Sequence, residues 1–314
     1  MRIVFAGTSE IAVPTLQTLA ENFEVAGVLT AASKPEGRSR RLVDPPVKTA
    51  ADALGLPVIQ CEHVNRPERE AVCALGGDFL LSFSFGRIFG PKFLSLFDRT
   101  MNIHPSVLPK SRGPAPVQQA ILSGEREWGI SFQEIGLEMD CGRLYDVLRF
   151  NLTGREDTVS LTQTIASLAA ARCPEVLRRI EAGTAVPVGQ SGEPSYCRLI
   201  GKDDGLIDFN QNALAVHALI RAMYDWPKAS TTLDGSPILI TGVWGGFEEL
   251  DSSWDCAGTP PGTIVALEKG KGLKVACSDS FIHISRVQLP TRKEISWQDL
   301  ANQKKNLVGM RFGL

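Results

Sequence analysis

The sequence predicts an α/β fold: a doubly wound, mostly parallel sheet over residues 1–184, then a small β-barrel over residues 206–314. Three observations carry this. Short apolar runs alternate with segments of helical periodicity through the first half, as in parallel strands joined by crossover helices. Residues 185–205 are rich in Pro, Gly and Ser and are expected to form a linker. After a helical stretch, the remainder is short apolar runs separated by Gly and Pro, the pattern of a small barrel.

Each element follows from its residues. Residues 2–6 make an apolar strand, and Gly7, Thr8, Ser9 and Glu10 turn into a helix with Ile11, Val13, Leu16 and Leu19 at helical spacing. A glycine turn before a helix can seat an anion. The Gly-x-Gly-x-x-Gly fingerprint is missing, which leaves a nicotinamide-dependent oxidoreductase with only the sheet pattern in its favour. Residues 23–30 read as the second strand. Residues 31–47 are expected as a loop, with Lys34, Arg38, Arg40 and Arg41 packed around Pro35 and Gly37. Such a run is ordinarily a solvated basic loop; clustered cations on a flexible segment also suit a phosphate backbone. A helix from Pro46 to near Gly55, a strand at 57–60 and a helix at 66–75 come next. The near-continuous apolar run at 78–85 suits the sheet centre. Phe85, Gly86, Arg87 and Ile88 open a loop, and helical residues 92–97 lead to a strand ending in Asn102 and His104.

The stretch from Met101 to Gln119 organises the rest. Pro105, Pro109, Pro114 and Pro116 exclude regular structure after the strand. Asn102 and His104, two residues apart, share one face of that strand and so stand together at its end, where open α/β sheets bind ligands. The plain reading of such a pair is a satisfied core histidine with a loop-capping asparagine. Proton chemistry calls for a carboxylate beside the imidazole. Asp140, within the glycine-flanked bend from Gly136 to Gly142, is the candidate, and His63, His217 and His283 have no comparable setting. Residues 129–135 and 144–150 read as strands, and a long helix beginning at Asp157 or Thr158 stops at Gly183.

Composition excludes several classes. With 33 Lys and Arg against 35 Asp and Glu, the formal net charge is −2, so RNA contact needs a local patch. No apolar run approaches ~20 residues, so no membrane span is expected. The N-terminus enters a strand without a signal-peptide pattern. The seven scattered cysteines, without Cys-x-x-Cys, argue against disulfides and a zinc site and for a reducing compartment; a cytoplasmic protein is expected. Cys141 lies beside Asp140 and is expected to be a bystander.

Asn102-x-His104, the loop Ser106-Val107-Leu108-Pro109 with Arg112-Gly113 and Ala115-Pro116-Val117-Gln118, and Asp140-x-Gly142 resemble the signature of the 10-formyltetrahydrofolate-dependent formyltransferases. The likeness runs over most of the chain. It implies a formyltransferase-type Rossmann-like domain and an OB-like C-terminal barrel that holds tRNA. It also implies transfer of the formyl group of 10-formyltetrahydrofolate to the α-amine of methionine on initiator tRNA, without a metal and by a monomer. Asn102, His104 and Asp140 would be catalytic. Phe85, Gly86, Arg87, Ile88, Ser106, Leu108 and Pro109 would hold the folate, and Lys34, Arg38, Arg40 and Arg41 would contact tRNA. The family commonly has proline at position 9, tyrosine at 85, an aromatic residue at 111, a small one at 114 and threonine at 141. It also has an acidic residue, any residue, Gly and Leu before the aspartate, where this chain has Gly136, Leu137, Glu138 and Met139. Alternatives are formylation of an amino sugar nucleotide, hydrolysis of formyltetrahydrofolate, and a non-catalytic RNA-binding protein on the same scaffold.

Overall fold

The computed structural model describes residues 1–36, 40–250 and 258–313. The chain divides into two compact units, one of Met1–Pro116, Gly129–Phe150 and Thr162–Cys197, the other of Val117–Trp128, Asn151–Leu161 and Arg198–Leu314.

The first unit is built on a seven-stranded sheet. Its strands are β1 (Arg2–Gly7), β2 (Glu24–Ala31), β5 (Val58–Cys61), β6 (Phe79–Phe83), β7 (Arg99–His104), β8 (Glu127–Gln133) and β9 (Leu144–Asn151). A two-stranded ribbon, β3 (Lys34–Glu36) and β4 (Arg41–Val43), lies between β2 and β5 in sequence. The sheet order is β5-β2-β1-β6-β7-β8-β9. Pairing is parallel from β5 to β7 and antiparallel between β7 and β8. The order runs outward in opposite directions from β1 and β6, so the switch point lies between their carboxyl ends, the expected place for a ligand. β6 is buried throughout, and in β1 Ile3, Val4, Phe5 and Ala6 are wholly buried, as strands covered on both faces require.

The loops after β1 and β6 are tied together. Thr8 N–H donates to the Ser84 carbonyl (3.1 Å), and Thr8 Oγ1 donates to the Phe85 carbonyl (3.0 Å). Phe85, Phe89 and Phe93 stack in sequence with centroids 5.2 and 5.0 Å apart, and Phe97 meets Phe93 edge-on at 5.4 Å. All four are buried and pack with Val4, Ala6, Leu29 and Leu80 under the loop. Each ring pair contributes about 0.5–1.5 kcal/mol beyond the area it buries.

The stretch 31–47, expected as an irregular loop, contains the β3–β4 ribbon, with Lys34 opposite Val43, Pro35 opposite Leu42 and Glu36 opposite Arg41. Two strands of three residues are too short for period-2 patterning to show, and proline is tolerated in an isolated ribbon that has only edges. The helix expected at residues 92–97 is a single turn, Pro91–Leu94.

The second unit contains a helix (Ala213–Ala222), β10 (Ala229–Leu233), β11 (Ser236–Val243), β12 (Ile264–Glu268), β13 (Gly272–Ala276), β14 (Phe281–Gln288) and β15 (Glu294–Ser296). Antiparallel pairing gives the order β10-β11-β14-β13-β12, with β15 also on β14. The two outer strands are bridged by the C-terminal segment: Phe312 pairs with Leu233 of β10, and Arg311 pairs with Thr263 just before β12. Phe312 N–H donates to the Gly262 carbonyl (2.9 Å) and Gly313 N–H to the Thr232 carbonyl (3.0 Å). The sheet thereby closes into a small barrel, and Phe312, buried, stacks on Phe209 with centroids 5.7 Å apart.

His217, fully buried on that helix, accepts through Nδ1 from Arg221 Nε (3.0 Å), and Arg221 Nη1 donates to the Glu156 carbonyl (2.8 Å). Burial first, then the Arg221 guanidinium, pushes the His217 pKa down to about 3. The folded state therefore holds this ring neutral, while the unfolded chain protonates it near its ordinary value of about 6.5. Its contribution to stability is fully present above about 6.5 and is lost as the pH falls from there toward 3. Across that window His217 should steepen the acid-side loss of unfolding free energy by up to about 1.4 kcal/mol per pH unit. Urea unfolding at a series of pH values should show a shallower slope in His217→Gln.

Candidate active site

The site is assembled where β7 ends. Strand alternation puts Asn102 and His104 on one face of β7. Across the antiparallel pairing Asn102 faces Gln133 and His104 faces Ser131 of β8. Polar residues on alternate positions of otherwise apolar β8 thus meet polar residues on alternate positions of β7.

His104 is buried, and its Nε2 lies 2.9 Å from the Ser111 carbonyl. A carbonyl only accepts, so Nε2 carries the proton in that contact. Nδ1 faces Asp140 Oδ1 at 3.5 Å, with the two side chains only 6% and 11% exposed. Both ring nitrogens thus face hydrogen-bond acceptors, one a carbonyl and the other a carboxylate.

Asp140 is held from three sides. Oδ2 accepts from Gly113 N–H (2.9 Å), Oδ1 accepts from Gln133 Nε2 (3.0 Å), and Oδ1 also faces His104. Its backbone lies in the left-handed region (φ +55°), which Asp tolerates better than most residues. The bend is possible because residue 142 is glycine: a Cβ there would stand 1.8 Å from the Glu134 carbonyl oxygen. A Cβ on Gly136 would meet nothing closer than 3.7 Å, and Leu137 and Met139 ahead of Asp140 are exposed. Gly113, at φ +118°, has the Cys197 carbonyl 2.3 Å from where its Cβ would stand. The amide that binds Asp140 therefore belongs to a position that requires glycine.

The loop between His104 and Gly113 is fastened to β8. Ser131 Oγ donates to the Ser106 carbonyl (2.7 Å) and accepts from Leu108 N–H (3.0 Å). Ser106 Oγ donates to the Lys110 carbonyl (2.6 Å), which occupies that hydroxyl. The peptide between Leu108 and Pro109 is cis, and the Pro109 carbonyl accepts from Ser195 N–H (3.2 Å).

On the neighbouring loop Phe85 points into the aromatic stack, Gly86 adopts φ +70°, and Ile88 is 77% exposed. Arg87 Nε donates to the Glu62 carbonyl (2.6 Å), and its Nη1 to the Gly86 carbonyl (3.0 Å). Lys34 and Arg41 are exposed on the β3–β4 ribbon, and Arg40 is exposed at its turn (φ +49°). Arg38 lies outside the described residues.

Sequence reasoning missed Gln133 and Gln190. Gln133 is a buried polar residue in an apolar strand, a visible signal. Gln190, in a Pro, Gly and Ser-rich stretch, gave none. Cys141 donates to the Met139 carbonyl (3.3 Å), and burial raises its thiol pKa, the contrary of nucleophile activation. Among the described residues no group of three or more His, Cys, Asp or Glu is arranged to hold a metal. Nor is any described helix long and apolar enough to cross a membrane.

Residues 1–177 match the formyl transferase family, and residues 199–305 match the formyl transferase C-terminal domain. The chain belongs to the formyltransferase family. This formyltransferase is 37% identical over 316 residues to methionyl-tRNA formyltransferase of Sorangium cellulosum, covering 100% of each chain. Among solved structures, HypX of Aquifex aeolicus matches with a TM-score of 0.65 at 18% identity, over 96% of this chain and 49% of that one. Methionyl-tRNA formyltransferase of Clostridium thermocellum matches with a TM-score of 0.56 at 15% identity, over 78% of this chain and 93% of that one. At these identities the two structures speak to the fold alone, and they agree with a formyltransferase architecture.

Proposed function

We propose that this formyltransferase moves the formyl group of 10-formyltetrahydrofolate to the α-amine of methionine esterified to initiator tRNA. The observation that carries this reading is the pairing of buried His104 with Asp140 at the end of β7, on the strand face shared with Asn102. The amine attacks the formyl carbon and makes a tetrahedral centre whose oxygen gains negative charge. Asn102 NH2 donates to that oxygen, and the protonated His104 ring, whose N–H groups face the Ser111 carbonyl and Asp140, stabilises it through its charge; loss of a donor costs roughly 3–4 kcal/mol in acyl transfer. Asp140 balances the imidazolium and takes the proton shed by the amine, directly or through water. That proton passes to N10 as the C–N10 bond breaks.

The formyl donor is a substrate held by the loop of Phe85, Gly86, Arg87 and Ile88 and by Ser106, Leu108 and Pro109. Residues 1–184 form its catalytic domain. The barrel of residues 206–314 and the basic residues Lys34, Arg38, Arg40 and Arg41 hold tRNA, and the protein works as a monomer in the cytoplasm. Charge reversal in Arg40→Glu/Arg41→Glu should raise KM for charged tRNA about tenfold with little change in kcat, and should flatten its salt dependence. Steady-state kinetics at two ionic strengths check this.

The deciding assay incubates the chain with 10-formyltetrahydrofolate and methionine-charged initiator tRNA. Formyl-methionyl-tRNA is the expected product. Its absence, with an amino sugar nucleotide formylated or formate released instead, overturns the reading.

A further inference from the structure

We propose that Gln190 is a positioning residue for the Asp140 carboxylate, itself oriented by Arg112; the assignment rests on the formyl-transfer reading above.

The geometry fixes which way the Gln190 amide points. Its Oε1 accepts from Arg112 Nη2 (2.6 Å) and Nε (3.2 Å). Its Nε2 donates to the Asp140 carbonyl and the Gly142 carbonyl, both at 2.8 Å, and lies 3.4 Å from Gln133 Oε1. The flipped amide would set its NH2 against a guanidinium and its oxygen against two carbonyls, so only one orientation is satisfied. Gln133 Nε2 then donates to Asp140 Oδ1. A chain of donors thus runs from Arg112 through Gln190 and Gln133 to the carboxylate facing His104.

Gln190 also controls the backbone that aims this carboxylate. Asp140 occupies the left-handed region, and the two carbonyls bound by Gln190 flank Cys141 in the same bend. Releasing them frees rotation at residue 140, and a displacement near 1 Å in a catalytic group can cost about a hundredfold in rate.

The segment bearing Gln190 is anchored on both sides. Leu144 and Val188 exchange backbone hydrogen bonds at 2.7 and 2.9 Å, extending the sheet beyond β9. Further along, Arg112 N–H donates to the Ser195 carbonyl (2.9 Å), Cys197 N–H donates to the Arg112 carbonyl (2.8 Å), and Ser111 N–H donates to Ser195 Oγ (2.8 Å). Ser111 supplies the carbonyl that holds His104 Nε2. One strap therefore braces the supports of both the imidazole and the carboxylate.

The test uses the full chain with Gln190→Ala, Gln190→Glu and Arg112→Lys, in wild-type and Asp140→Asn backgrounds. Gln190→Ala should lower kcat at least about tenfold while each KM moves less than about threefold and the melting temperature stays within a few degrees. Gln190→Glu keeps the Arg112 contact but turns an acceptor toward two carbonyls, and should be no better than alanine. In the Asp140→Asn background Gln190→Ala should change kcat less than about twofold, because the two act through one group. With only four histidines in the chain, the ring-nitrogen signals of His104 can be followed by NMR and should shift in Gln190→Ala. Wild-type kcat in both Gln190 variants, or a loss that multiplies fully with Asp140→Asn, overturns the proposal. So do unmoved His104 signals, which can be followed even in a chain without turnover. Formyl transfer by wild type with indifferent Gln190 variants strikes this assignment and leaves the function standing.

Discussion

Asp140→Asn should lower kcat for formyl transfer roughly a thousandfold while the protein stays folded, since asparagine keeps the shape but not the charge. The existing partners decide how the new amide sits. Gly113 N–H needs an acceptor, so the asparagine oxygen takes the place of Oδ2. Its NH2 then occupies the place of Oδ1, against Gln133 Nε2 and His104 Nδ1. Two donors oppose it, and the imidazole loses the carboxylate that balances its second proton. In the proposed mechanism the oxyanion then loses stabilising charge and the amine loses its proton acceptor, while the loop at residues 85–88 and the β3–β4 ribbon are untouched. Single-turnover kinetics should show the loss in the chemical step, with KM for both substrates nearly unchanged. A kcat within tenfold of wild type would remove Asp140 from the chemistry.

Gly142→Ala should be the most damaging small substitution in the first unit. A methyl group 1.8 Å from the Glu134 carbonyl oxygen has to be relieved by backbone, because Glu134 N–H is itself bonded to the Arg143 carbonyl (2.8 Å) next to the mutated residue. The bend must open, and with it goes the Gly142 carbonyl that Gln190 holds. Overpacking against rigid backbone costs about 3 kcal/mol, at the upper end of its usual range. Thermal unfolding should therefore begin several degrees lower. Activity should fall about a hundredfold, because Asp140 lies two residues from the clash. Differential scanning calorimetry and initial rates at a temperature where the variant is folded separate the two effects. Gly136→Ala, whose methyl meets only ordinary van der Waals contacts from 3.7 Å outward, should leave both nearly unchanged.

The parts of the site written on single elements were legible in the sequence. Asn102 and His104 share a strand face by the simplest rule of strand geometry, and the prolines after them announced the loop. Asp140 was found by its glycine surroundings, although Gly142 rather than Gly136 proves to be the steric requirement. Residues whose role depends on a meeting of distant segments were not legible. Gln190 lies 50 positions from the carbonyl it holds at residue 140, in a stretch whose composition spoke only of irregular chain. The β3–β4 ribbon hid behind Pro35, and the closing segment at Arg311 and Phe312 is two residues long, beneath any periodic signal.

That short closing segment has a wider consequence. An open five-stranded path would leave the outer flanks of β10 and β12 with rows of unpaired amides and carbonyls, ready to accept a strand from another molecule. Phe312 and Arg311 pair with both flanks at once, at Leu233 and at Thr263, so part of each edge is already taken. Arg311 and Phe312 thus shorten the edges that this unit would otherwise offer to another strand.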